Sequence, residues 1–277
     1  MTAHKIIYGT AWKKERTTAL VISAILNGFR AIDTACQPKH YREDLVGEAL
    51  QTVQEKHGIK REDMFIQTKF TPLGGQDTTK PLPYDPNSRL ETQVRTSFQT
   101  SLSNLRTTYI DSLLLHSPLN SIAHTITVWK QLVALQDSGQ VKFIGVSNTY
   151  DVATLEALER EGGRRVQVVQ NRWFEGNQWD KAVLDYCRKN GIQYQSFWTL
   201  SGAPNLLAHP ELVSFARRKG CTPAQALFRL AQVQGVTPLS GTTNEEHMQQ
   251  DLAVEKIELT ADDEAQLQKV FAWMGLA

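Results

Sequence analysis

Cysteine is scarce in this chain of 277 residues: Cys36, Cys187 and Cys221 are an odd number and far apart. They offer no disulfide framework, and a reduced, cytoplasmic setting is expected. No apolar run approaches the ~18 residues that a membrane-spanning helix needs. The first residues, Met1-Thr2-Ala3-His4-Lys5-Ile6-Ile7-Tyr8-Gly9, lack the long apolar stretch of an export signal. The net charge is only +1, too little to attract nucleic acid or an anionic membrane surface, so neither is expected as a partner. No Pro/Ser/Gly linker, low-complexity tract or sequence repeat divides the chain, and one domain over residues 1–277 is expected.

What is present is apolar material in a regular rhythm. At 41% hydrophobic residues the chain can bury a large core. Short aliphatic runs begin near Lys5, Ala31, Met64, Ile110, Lys142, Val166, Gln193 and Thr237, on average about 33 residues apart, close to one βα unit each. The runs Ser112-Leu113-Leu114-Leu115 and Val166 to Val169 suit strands buried on both faces. Helical patterns lie between them. Residues 17–27 place Leu20, Ala24 and Ile25 on one face, with Gly28 as a stop. Residues 121–138 carry a stripe of Ile122, Ile126, Trp129, Val133 and Leu135, ended by Gly139. Residues 180–190 end at Gly191, and residues 261–274 open on Thr260 with Asp263 at capping-box spacing. The one long irregular stretch, Thr71 to Pro86, holds prolines at 72, 81, 83 and 86, and a loop that long is more often functional than accidental.

Eight parallel strands joined by helices predict a closed (β/α)8 barrel of the TIM type. The rival is an open dinucleotide-binding sheet, which carries G-x-G-x-x-G after its first strand; here that place holds Gly9-Thr10-Ala11-Trp12. In a barrel, residues just past the strand ends meet at one mouth. Those ends are Asp33-Thr34, Thr68-Lys69, His116-Ser117, Ser147-Asn148, Gln170-Asn171 and Phe197-Trp198. Taken singly, Asp33 is as well explained as a helix cap, Lys69 as a solvent-facing lysine and His116 as a core histidine. At successive strand ends they form one constellation, because a buried lysine requires a carboxylate partner.

Gly28-Phe29-Arg30-Ala31-Ile32-Asp33-Thr34-Ala35 resembles the aldo-keto reductase signature around the catalytic Asp. Phe65-Ile66-Gln67-Thr68-Lys69 is similar to that family's lysine strand, and Tyr109 to Pro118 to its histidine strand. Gly139 to Asn148 is similar to its fifth-strand motif, and Thr222 to Leu227 to its helix before strand 8. The matches run in family order from Gly9 to about Leu252. The resemblance implies a catalytic tetrad of Asp33, Tyr41, Lys69 and His116. The tyrosine sits in a stretch with inserted residues, Cys36 to Glu43, where counting back from Val46-Gly47 lands on His40, one residue before Tyr41. Tyr41 is preferred because the chemistry needs a phenol beside an ammonium; His40 is the alternative donor, and an aromatic anchor for the next helix is the structural one.

The implied activity is NAD(P)H-dependent reduction of an aldehyde or ketone, with Tyr41 as acid. A free tyrosine has a pKa of about 10, and Lys69 nearby is expected to lower it. Asp33 would hold Lys69 charged, and His116 would hold the carbonyl oxygen. The resemblance assigns Ser147, Asn148 and Gln170 to the nicotinamide carboxamide and Phe197 to its ring face. Trp198 and Thr199 stand where the family has a small residue and proline, narrowing the cofactor tunnel. Gly9, Thr10, Ser240, Gly241, Thr242, Thr243 and His247 are expected along the rest of the cofactor. NADP(H) is the family's usual cofactor. The slots where members selective for the 2′-phosphate carry Lys and Arg hold Gly241 and His247 here, beside Glu245 and Glu246, so NAD(H) is the alternative. No metal ligands are assigned.

Trp12, Trp173 and Phe174, with Tyr84 as a further candidate, are expected to wall the substrate pocket, whereas Trp129 and Phe215 read as core. The short loop after His116, and a chain that stops soon after residue 274, imply an open mouth for a bulky or planar carbonyl. Two other functions stay open: a cofactor-binding barrel acting as a non-catalytic partner or sensor, and a biosynthetic isomerase or dehydratase using the same pocket.

Overall fold

The computed structural model describes residues 4–276. Eight strands, β1 Ile7–Gly9, β2 Ala31–Asp33, β3 Phe65–Phe70, β4 Ile110–Leu115, β5 Val141–Ser147, β6 Val168–Arg172, β7 Gln193–Phe197 and β8 Val236–Ser240, pair in sequence order, all parallel, and close through β1 against β8. This is the (β/α)8 barrel, and each strand starts within two residues of its expected position.

Helices α1 Thr17–Asn27, α2 Glu43–His57, α3 Leu90–Leu105, α4 Ile122–Asp137, α5 Val152–Gly162 and α6 Lys181–Asn190 follow the first six strands. Helices α7 Pro204–Leu207, α8 Pro210–Lys219 and α9 Pro223–Val233 fill the longer crossover before β8, and α10 Glu245–Ala253 and α11 Ala261–Met274 follow it. Helix starts are set by local chemistry: Ser121 caps α4, Asp151 caps α5, and Thr222 and Thr260 form capping boxes with Gln225 and Asp263.

Strand side chains alternate, so each strand sends one set outward to the helices and one set to the barrel axis. The outward set forms the large core, including Ile66, Leu113, Leu115, Val146 and Val169. The inward set is graded. At the N-terminal end Ile7, Ala31 and Phe65, backed by Phe143 and Leu239, make an apolar plug. Two residues further along, Asp33, Gln67, Gln170 and Gln195 share the interior through mutual hydrogen bonds. Gly145 leaves room for this crowding, since a β-carbon there would lie 2.2 Å from the carbonyl oxygen of Val168. The closed end is therefore oily and the open end polar, which places the chemistry at the C-terminal mouth.

Candidate active site

Lys69 projects inward from β3 and is fully buried. Its Nζ lies 2.7 Å from both Asp33 carboxylate oxygens and donates to the Thr34 carbonyl at 2.8 Å. Burial lowers the lysine pKa while Asp33 opposes that shift. Asp33 Oδ1 also accepts from the amides of Gln67 at 2.8 Å and Gln170 at 2.9 Å. An ionised carboxylate only accepts, so these contacts fix both amides with nitrogen toward Asp33. The ion pair thus sits inside a satisfied polar network.

Tyr41 is positioned by the segment before α2. Its N–H donates to the Gln37 carbonyl at 3.0 Å. Two residues on, the buried Glu43 accepts from the Thr68 hydroxyl at 2.5 Å and the Asn104 amide at 3.1 Å, tying the helix start to β3 and α3. The ring centre of Tyr41 lies 5.3 Å from Lys69 Nζ and 5.9 Å from the His116 ring, edge-on. Its phenol is pushed well above its ordinary pKa, first by burial and then by Asp33. The expected lowering by Lys69 is therefore not found. The physical reason is that Asp33, at 2.7 Å, largely cancels the ammonium charge, leaving desolvation to dominate.

His116, at the end of β4, has Nδ1 2.7 Å from the Thr71 hydroxyl. Burial, followed by the charges of Lys69 and His40, holds its pKa well below the usual histidine value. The ring is neutral near pH 7, and in the tautomer in which Thr71 donates to Nδ1 the ring hydrogen is on Nε2. His40 faces the same cavity but stacks on Trp12. Its ring centre is 3.8 Å from that of Trp12, and burial with Lys39 and Lys80 lowers its pKa.

These groups face a cavity of about 950 Å³, large enough for a sizeable organic ligand. Asp33, His40, Tyr41 and His116 line it, as do Gly9, Trp12, Ser147, Asn148, Gln170 and Phe197. So do Ser240, Gly241, Thr242 and His247 further along. Lys69 lies behind this wall, and five other expected residues are not part of it. Thr10 is buried with its hydroxyl donating to the Asp33 backbone carbonyl at 2.9 Å. Thr243 is exposed and off the wall. Trp173 is fully buried against Trp179, with ring centres 4.9 Å apart, because it follows Asn171 on the outward side of β6. Phe174 packs 5.1 Å behind Trp198, which takes the rim position instead. Tyr84 is also core, its hydroxyl donating to the Thr71 carbonyl.

Other residues escaped the sequence reading. Lys13 is buried, its ammonium 4.9 Å from the Tyr8 ring centre and donating to the Gly241 carbonyl at 2.8 Å. Burial and Arg16 bring its pKa down to about 8. The Tyr8 hydroxyl donates to the Thr242 carbonyl at 2.9 Å, so β1 pins the loop after β8 from beneath. Asp251 lines the cavity, accepts from Ser240 at 2.6 Å, and is pushed by burial up to about 6. Arg172 stands at the rim. Neither a lysine beside a tryptophan nor an acid on a polar helix carries a periodic signal.

Groups suited to a nicotinamide carboxamide are present. Gln170 spends its nitrogen on Asp33 and Gln195, leaving its oxygen without a hydrogen bond among the described residues. Asn148 donates to the His116 carbonyl at 2.9 Å, and its oxygen has only a long 3.5 Å contact with the Tyr150 hydroxyl. Both oxygens can accept from an amide N–H₂. Ser147, by contrast, donates to the Gln170 carbonyl at 2.7 Å.

The model of the Aldo/keto reductase family matches residues 5–272. The chain is 31% identical to the uncharacterized oxidoreductase YtbE of Bacillus subtilis (strain 168), over 88% of this chain and 79% of that protein. It is 27% identical to human aldo-keto reductase family 1 member C3, over 90% and 81%. Among solved structures, an aldo/keto reductase from Brucella melitensis superposes with a TM-score of 0.78 at 26% identity, covering 96% of this chain and 94% of that one. An aldo-keto reductase enzyme from a Medee basin deep-sea metagenome library superposes with a TM-score of 0.82 at 25% identity, covering 98% and 92%.

Proposed function

Starting from the fact that the chain belongs to the aldo/keto reductase family, we propose that it reduces an aldehyde or ketone to the alcohol with NADPH or NADH, using Tyr41 as the proton donor. One observation carries this reading: the buried Lys69–Asp33 pair, the Tyr41 phenol and the neutral His116 ring adjoin one another at the inner end of the cavity.

A nicotinamide dinucleotide, when bound, supplies the two electrons and the hydrogen that the carbonyl carbon takes up. Gln170 and Asn148 would accept from its carboxamide, Phe197 would offer a ring face, and the loop of Ser240, Gly241 and Thr242, with His247, would meet its phosphates. The protein's own chemistry concerns the carbonyl oxygen. His116 donates from Nε2 and orients it, because Thr71 holds the other ring nitrogen. Tyr41 delivers the proton. Its raised pKa keeps the phenol protonated in the resting protein, so the proton is there to give. The phenolate left behind lies beside Lys69, whose ammonium offers it only the charge that Asp33 does not already offset. General-acid assistance of this kind contributes roughly 10²–10⁴-fold, and alignment with the reductant contributes further.

Tyr41 is favoured over His40 because it packs against both Lys69 and His116, whereas His40 stacks on Trp12. The test is turnover of a panel of aromatic aldehydes and diketones with each cofactor, comparing Tyr41→Phe and His40→Gln. The expected result is a loss of about two orders of magnitude in kcat for Tyr41→Phe, with cofactor affinity nearly unchanged. A fully active Tyr41→Phe protein rejects Tyr41 as the acid. Tight dinucleotide binding with no turnover of any carbonyl by the wild type replaces the enzyme with a cofactor-binding partner.

A further inference from the structure

From the geometry of the cavity mouth we infer that Arg172 is an anion-binding specificity residue, whose guanidinium grips a carboxylate or phosphate group of a molecule held in the cavity. The inference deepens the carbonyl-reductase reading and rests on it for the identity of that molecule. Arg172 ends β6. Gln170 points to the barrel axis, where it reaches Asp33, and Asn171 points outward, where it reaches Asp180. Alternation brings Arg172 back to the inner side, one layer above Gln170. The parallel register confirms this, pairing Arg172 with Phe197, another residue of the cavity wall.

Three features set Arg172 apart from an ordinary surface arginine. Its backbone is held at both ends: the N–H donates to the Tyr150 hydroxyl at 3.1 Å, and the carbonyl accepts from Asn177 at 2.7 Å. Its guanidinium carbon lies 4.9 Å from the Trp198 ring centre and 5.8 Å from that of Phe197, so the exposed side chain is kept over the aromatic rim of the cavity. Trp198 is itself held over the mouth by a left-handed backbone, φ 61°. Finally, no carboxylate or carbonyl among the described residues accepts from the guanidinium. Arg61 pairs with Asp111 and Arg218 with Asp263, and Arg16 and Arg217, which also lack an acceptor, do not line the cavity as Arg172 does.

The surrounding charge strengthens the point. Arg172 is the only Lys or Arg among the residues lining the cavity. Lys69 lies deeper and is matched by Asp33, and Lys13 is turned to the Gly241 carbonyl. The loop where a phosphate would find cations has Gly241 and His247 followed and flanked by acids. An anionic group entering this cavity therefore meets one permanent positive charge, presented as a planar fork suited to two oxygens. Two sources supply such a group: a carboxylate on the carbonyl substrate, or the diphosphate of the dinucleotide.

The test compares wild type, Arg172→Gln and Arg172→Lys, with thermal midpoints as a folding control. Tryptophan fluorescence follows titration of the cofactor-free protein with inorganic pyrophosphate and, separately, benzoate. Losing a charge-assisted fork costs about ten- to a hundredfold in affinity, so Arg172→Gln should weaken at least one anion by that factor, with Arg172→Lys in between. The source follows from two more measurements. A matching loss of NADH and NADPH affinity identifies the diphosphate. A ten- to hundredfold fall in the kcat/KM preference for 4-carboxybenzaldehyde over its methyl ester, scaled as above, identifies the substrate carboxylate. Pyrophosphate and benzoate affinities within about twofold of wild type in Arg172→Gln, less than the loss of one such bond, overturn the inference. If Arg172-dependent anion binding persists in a protein that reduces no carbonyl, the reductase reading fails and the anion site stands.

Discussion

Replacing Asp33 by Asn removes the countercharge from a fully buried ammonium while nearly preserving shape. Lys69 keeps two neutral partners, the Thr34 carbonyl at 2.8 Å and an Asn oxygen placed where Oδ1 lies 2.7 Å from Nζ. The amides of Gln67 and Gln170 can still donate to the Asn oxygen, but the new N–H₂ group then faces Nζ. Breaking a buried pair from one side costs about 3–5 kcal/mol because the remaining charge stays desolvated. For a chain of this length that is roughly a 6–10 °C fall in Tm, at about 2 °C per kcal/mol. The pH dependence gives a second handle. Burial already lowers the Lys69 pKa in the folded state, and Asp33 is the main force opposing it. Without Asp33 the folded pKa falls further, so below the ordinary lysine value the unfolded chain binds the proton more tightly. Stability of Asp33→Asn should therefore rise with pH, relative to wild type, until the unfolded lysine also deprotonates. Removing both charges in Asp33→Asn, Lys69→Met should recover most of the stability but none of the activity. Urea unfolding across pH 6 to 10, with aldehyde turnover on the same samples, measures all three. An Asp33→Asn protein as stable as wild type, with no rise toward alkaline pH, refutes the argument that the pair is buried and coupled.

Further predictions concern single groups. The His116 imidazole should stay neutral from about pH 8 down past the usual histidine range, because burial and Lys69 lower its pKa; ring-nitrogen NMR showing protonation near 6.5 would contradict this. Gly241→Lys with His247→Arg should shift the NADPH/NADH preference toward NADPH by about tenfold or more, the worth of new charge-assisted phosphate contacts, and an unchanged ratio of kcat/KM values means that the loop does not meet the 2′-phosphate. Asp251 has a folded pKa of about 6 against an ordinary 3.8. The folded state thus holds the extra proton between those values, and this carboxyl's contribution to stability falls as pH rises through that window. Asp251→Asn should flatten the dependence and raise the urea midpoint at pH 7, and a midpoint lower than wild type at that pH would count against it.

Much of the barrel was readable because its signals are local. A strand buried on both faces needs a short aliphatic run, and a surface helix needs a stripe at helical spacing, so the starts of β2, β4 and β7 and the limits of α1 and α11 coincide with sequence patterns. Strand ends were readable for the same reason, which brought Asp33, Lys69 and His116 forward together. Facing was harder beyond the strands. Trp173 looked like a pocket wall because aromatic residues at a barrel rim serve either side, and only the alternation after Gln170 sends it outward to Trp179. Thr10 looked available at the first strand end, yet its hydroxyl is taken by the Asp33 backbone. Lys13 went unnoticed because a charged residue in an irregular stretch is usually solvated, and Arg172 because it lies beyond Gln170-Asn171, where β6 was expected to end.

The order of strands and helices, the apolar closure of one barrel end, and the residue types delivered to the other end are properties of the chain as written, since each depends on neighbours a few positions away. Which of His40 and Tyr41 approaches Lys69, how far Asp33 neutralises that amine, and therefore the direction in which the phenol's acidity moves, arise only on folding. Those quantities depend on distances between residues as far as 36 positions apart, such as Asp33 and Lys69, and on the exclusion of water around them, and neither exists until the barrel has closed.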